Sequence, residues 1–140
     1  MKDFKLALLY LGSAYLIGTI VGFITFYIDV IVMWIFMFTL MPLVFGYFFY
    51  CYLKKTECKI SELDKETNLL ILVWIIASFL LDAIVYIIIV PIIYGYKSNW
   101  TFFADQSPWI WLNYLAIIII GYCGRFYFLR RMKTINQNVP

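Results

Sequence analysis

The chain has 140 residues, of which 65% are hydrophobic and 21% aromatic, with a net charge of +3 and no histidine. That length leaves room for a single domain. The missing imidazole removes the usual ligand for haem, copper or zinc and the usual general base, so a membrane protein without a cofactor or metal is expected, and not an enzyme.

Residues 6–53 carry one charged side chain, Asp29. A helix needs ~20 apolar residues to cross the hydrocarbon core of a bilayer. This run holds two crossings, predicted at 5–27 and 30–53. One unbroken helix of that length would rise ~72 Å, far more than a membrane is thick. Asp29 falls in the short turn, where an Asp suits an N-cap. In the first span Ala14, Gly18 and Gly22 follow one another at intervals of four, a stripe that lets another helix approach closely. Pro42 interrupts the second span and leaves the carbonyl of Phe38 without its helical donor, which predicts a kink.

Residues 54–68 form a charged connector, with Lys54, Lys55, Lys59 and Lys65 balanced by Glu57, Glu62, Asp64 and Glu66. Ser61 followed by Asp64 fits a capping box, so the third helix is expected to begin near Glu62. Its span is predicted over 69–95. Pro91 frees the carbonyl of Ile87 and predicts a second kink. Asp82 sits ~20 Å of helical rise from Leu69, near mid-membrane. A charged side chain at that depth costs ~2.5–3.5 kcal/mol on insertion scales, so Asp82 is expected to face the bundle interior and to be kept protonated there. Ser78 lies one turn below it on the same face.

The outer loop, 96–108, leads into the fourth span at 109–130. Trp100, Phe102, Phe103, Trp109 and Trp111 are expected at the outer membrane interface, where aromatic rings settle with one apolar and one wet side. Asn99-Trp100-Thr101 fits a glycosylation sequon, which matters only in a eukaryotic host. Gly121 and Gly124 are candidates for close packing in the fourth helix. Arg125 is the candidate counter-ion for Asp82, although ~12 Å of helical rise separates their levels. Snorkelling of Arg125 to the interface is the simpler expectation.

Four crossings put both termini on one side. Lys2, Lys5, Lys54, Lys55, Lys59, Lys65, Arg125, Arg130, Arg131 and Lys133 share that side, and of the 11 basic residues only Lys97 lies on the other. The positive-inside rule places both termini and the 54–68 loop in the cytoplasm. Orientation thus accounts for the basic residues without a nucleic-acid partner. The expected setting is the inner membrane of a bacterium. Cys51, Cys58 and Cys123 fall on the reducing side and match no metal or redox spacing.

The expected class is an all-α, four-helix transmembrane bundle. Small drug-proton antiporters share the helix number, but their first-span glutamate has no counterpart before Asp29. Small translocases of lipid-linked sugars resemble the chain in topology and in aromatic-basic helix ends such as Gly124-Arg125-Phe126-Tyr127-Phe128-Leu129-Arg130. Immunity proteins against pore-forming toxins resemble it in architecture. The function expected first is a non-enzymatic protein that binds another membrane component, as an accessory, assembly or immunity-type subunit. Its partners would be the lipid bilayer and another membrane protein or a second copy of itself. The alternative is a small oligomeric transporter or translocase using Asp82.

Overall fold

The computed structural model describes residues 1–137, with side chains described through Met132; the Lys133 side chain used in the charge count lies outside the described residues. The described chain is all-helical: α1 (Phe4–Phe26), α2 (Val30–Lys55), α3 (Leu63–Asp82), α4 (Val90–Ile93), α5 (Phe102–Asp105) and α6 (Trp109–Gln137). A 3₁₀ turn (Ile60–Glu62) precedes α3, and a π-helical stretch (Ala83–Ile89) joins α3 to α4, so residues 60–93 make one rod. Four helical segments, Phe4–Phe26, Val30–Lys55, Ile60–Ile93 and Trp109–Met132, are long and apolar enough to cross a membrane.

Local chemistry sets the ends. Asp3 caps α1 by accepting the Leu6 N–H at 2.9 Å. Asp29 Oδ1 accepts the Ile31 N–H at 2.6 Å and the Val32 N–H at 3.4 Å, so the short turn satisfies the first free donors of α2 from within. After α2, Glu57 takes the left-handed φ of 46°. That reversal lets the Glu57 and Cys58 N–H groups reach the last free carbonyls, those of Lys54 and Leu53. The predicted capping box at Ser61 does not form. α3 starts without a side-chain cap, and Asp64 is drawn instead into an ion pair with Arg125.

α1 packs beside α2 and α3, and α6 closes the ring against the same two. One end of the bundle carries the N-terminus, the 56–62 connector and Arg131; it is called the terminal end here. The opposite, turn end carries the 27–29 turn and the 94–108 loop. The terminal half is solid. Phe49 and Trp74 meet edge to face at 5.6 Å, both fully buried. The Trp74 indole donates to the Ala7 carbonyl at 3.1 Å, tying α3 to α1. Gly121 and Gly124 let α6 lie against α2 and α3. A Cβ at Gly124 would come 3.1 Å from Phe49 Cδ1.

The connector is not merely a solvated strand of charge. Glu66 is buried, accepts the Lys2 N–H at 2.7 Å and takes the Tyr52 hydroxyl as a second donor. Lys2 Nζ pairs with Glu62 at 3.0 Å and holds the Glu62 carboxyl below its ordinary value. Burial pushes the Cys58 thiol up from its usual range.

Candidate functional site

The turn half of the bundle is hollow. A cavity of about 420 Å³ runs between the four long helices, from Tyr27 and Tyr94 at its rim to Tyr15 and Asp82 at its floor. Its volume falls within the ~300–1,000 Å³ of small-ligand sites. From Tyr15 to Phe26, both in the lining, α1 rises ~16 Å at 1.5 Å per residue, so the cavity spans much of one membrane leaflet.

Small residues create the space. Gly18 and Gly22 turn their bare faces to the cavity. A Cβ at Gly22 would meet only Met37 Sδ, at 3.9 Å, and one at Gly18 would push into the flexible end of Met41, with Cε at 2.6 Å. Along the stripe, Gly18 is buried with Met41 of α2 seated on it, while Gly22, nearer the turn end, borders the cavity. Ala14, at the stripe's inner end, is fully buried.

Asp82 is held by two phenols. The Tyr15 hydroxyl donates to Oδ1 at 2.7 Å and the Tyr114 hydroxyl to Oδ2 at 2.6 Å. Three elements thus converge on one carboxylate: α1, the end of α3, and α6. A hydrogen bond to a charged group is worth ~1.5–3 kcal/mol. Two of them match the insertion cost of a mid-membrane charge, ~2.5–3.5 kcal/mol. No basic side chain is required, and none supplies one. Arg125 turns to the terminal end, where Nη2 pairs with Asp64; the Asp82–Arg125 pair is not made, because the two lie at different depths and Asp64 is closer to hand. Ser78 is buried below Asp82, its hydroxyl unpartnered and outside the cavity lining.

The two prolines frame the site. Pro42 lines the cavity from α2. Pro91 leaves the Ile87 carbonyl without a helical donor, and the Asn99 N–H from the loop takes it at 3.1 Å. Pro91 is preceded by the π-helical stretch, which begins at the residue after Asp82. π-Turns are short, uncommon and frequent at functional sites.

The aromatic loop corrects a further expectation. Trp100 is 77% exposed, as an interface residue would be. Phe102 and Phe103 instead fold inward. Phe102 stacks on Tyr86 with ring centroids 5.0 Å apart, and Phe103 on Phe79 at 4.7 Å. Trp109 lies against Trp34 at 5.7 Å, and Trp111 against Phe103 at 5.9 Å, each keeping a half-exposed flank. Offset ring pairs gain ~0.5–1.5 kcal/mol beyond burial, which favours docking over floating at the interface. α5 becomes the roof of the cavity, with Phe102 and Gln106 in its lining. At the rim the Tyr27 and Tyr94 hydroxyls meet at 3.1 Å.

Sequence reasoning missed Tyr15, Tyr86 and Tyr114. The available signal was depth: Tyr15 lies ten residues into the first predicted span and Asp82 thirteen into the third, within ~5 Å of rise of one another. Among the described residues no three His, Cys, Asp or Glu side chains converge where a metal would sit. Comparison with protein-family models, curated proteins and solved structures finds no match. The fold and composition define an all-helical membrane protein.

Proposed function

We propose that this chain is a non-enzymatic membrane protein that binds a small lipophilic ligand in the cavity between its helices. It lies in a bacterial inner membrane with both termini in the cytoplasm, so that the cavity opens at the outer face. The observation that carries this reading is the cavity itself: a hollow half-bundle, floored by one carboxylate, above a closely packed half. A four-helix bundle built only to support a neighbour has no physical reason to leave 420 Å³ unfilled, since a void forfeits the packing on which helix association in lipid depends. The accessory or immunity-type reading is supported by a single acid at mid-membrane depth, few polar positions in the spans and aromatic packing surfaces, none of which calls for a cavity.

Thiol chemistry tests it. Ala116 lies in the lining. In a chain whose three native cysteines are replaced, Ala116→Cys is expected to react with a small, uncharged thiol reagent. Adding Gly22→Trp fills the space and should block the reaction. Equal labelling with and without the Trp, in a variant of unchanged melting temperature, would refute a ligand-sized cavity.

Transport is the second reading. It is favoured by the π-helical stretch that starts beside Asp82 and ends at Ile89, two residues before Pro91. Such a stretch is a place where a helix can shift register and carry the carboxylate with it. A transporter requires Asp82 to titrate; Asp82→Asn, stable but without flux, is the result that supports it.

A further inference from the structure

We infer that the cavity selects an organic cation: a single positive charge carried on an apolar or aromatic body. This rests on the reading of the cavity as a ligand site and adds the ligand's chemistry.

Charge comes first. Asp82 is the one acid in the lining, and the lining holds no Lys or Arg. The base closest in the sequence argument, Arg125, is engaged by Asp64 outside the cavity. An ionised carboxylate has room for about four hydrogen bonds, and Tyr15 and Tyr114 use one on each oxygen. The phenols orient the carboxyl group and bring no positive charge of their own. Its field points into a cavity lined mainly by apolar and aromatic side chains. In such surroundings an opposite charge is attracted far more strongly than in bulk water, and a like charge is repelled as strongly.

The walls give the second argument. Tyr86, Trp34, Phe45 and Phe23 face the cavity together with the two phenols that hold Asp82. Aromatic faces are electron-rich and attract cations at ~0.5–2 kcal/mol per ring, most when the cation is desolvated. Met33, Met37 and Met41 complete the lining. Thioether side chains are flexible and polarisable, and suit an apolar body of variable outline. A neutral lipid tail would be served by aliphatic walls; it gains nothing from a buried acid whose presence is costly. An inorganic cation would find one carboxylate and no set of oxygen ligands around it. The combination of one acid, many rings and no base is matched by a lipophilic monocation.

The experiment uses the full chain in lipid nanodiscs and two ions of one shape and opposite charge, tetraphenylphosphonium and tetraphenylborate. Binding is counted as the part removed by Gly22→Trp, which cancels partition into lipid. The wild-type chain should bind the phosphonium and show no cavity-dependent binding of the borate. Asp82→Asn should weaken phosphonium binding at least tenfold at unchanged melting temperature. Cavity-dependent binding of both ions with similar affinity, or undiminished phosphonium binding to a folded Asp82→Asn, overturns the cation assignment. So does the absence of cavity-dependent binding for either ion. In that case the Ala116 labelling decides what else fails: if the thiol reacts and Gly22→Trp blocks it, the cavity stands and only the ligand class is wrong. The comparison of the two ions in the wild-type chain keeps its force even where Asp82→Asn does not fold.

Discussion

A Cβ at Gly121 would sit 2.5 Å from Ile71 Cγ1 and 3.2 Å from Phe49 Cε2, whereas at Gly22 its nearest neighbour would be 3.9 Å away. The two glycines have opposite meanings. Gly121 is a tight contact point in the terminal half, and Gly22 lines the cavity with room for a side chain beside Met37. Overpacking a filled site costs ~1–3 kcal/mol, because neighbours must leave their rotamers. Gly121→Leu is thus expected to lower thermal stability by that amount, while Gly22→Leu leaves it within ~1 kcal/mol of wild type. Denaturation monitored by tryptophan fluorescence checks both; equal losses would show that the turn half is packed as closely as the terminal half. Asp82 belongs to the same scale. Its two phenol donors supply the hydrogen bonds that a basic partner would otherwise supply.

Among the elements, the rod of residues 60–93 and the loop after it are joined by complementary defects. Pro91 removes a donor from the helix, and the loop returns one through the Asn99 N–H. Gly95, at φ 73°, takes the left-handed turn that lets Tyr96 bond back to the Pro91 carbonyl at 2.8 Å. Phe102 and Phe103 then fasten α5 over the cavity through their stacks on Tyr86 and Phe79. This roof is held by ring contacts and few backbone bonds. Phe102→Ala with Phe103→Ala is therefore expected to release it. Amide hydrogen exchange over residues 99–106 should rise at least tenfold, the effect of losing roughly 1.4 kcal/mol or more of local protection, while exchange in α2 and α6 stays slow. Unchanged exchange in the loop would mean that the Asn99 and Gly95 bonds suffice.

For the whole molecule, the solid half and the hollow half coincide with the two ends that charge distinguishes. The basic residues gather at the terminal end, where Lys2, Glu62, Glu66, Asp64 and Arg125 form ion pairs or hydrogen bonds. The turn end holds Lys97 alone of the basic residues. Insertion with basic loops inside would point the rim of the cavity outward. Cysteine at Ser98 should label with an impermeant reagent added to intact cells, and cysteine at Thr56 should not. Burial and a raised pKa keep the native Cys58 from confusing the result. Labelling at position 56 only would turn the cavity to the cytoplasm.

Hydropathy by itself determined that four helices exist and roughly where they end, because a membrane span is a one-dimensional quantity: ~20 apolar residues in a row. Asp29 was readable for the same reason, since an N-cap acts on its own neighbours three residues away. The depth of Asp82 was readable too, being a count along a helix. What surrounds it was not. Tyr15 and Tyr114 lie 67 and 32 residues from Asp82 in the chain, and an intramembrane tyrosine has no sequence mark that separates a hydrogen-bond donor from a lipid-facing ring. The glycine stripe was likewise ambiguous. A missing side chain admits either a neighbour's backbone or nothing, and only the positions of α2 and α6 decide which. Phe102 and Phe103 have the composition of an interface loop, and their inward fold depends on Tyr86 and Phe79 standing at the right height on another element. The bundle was written in local spacing. The cavity arises from the distances between helices, and those are set by side chains meeting across the fold.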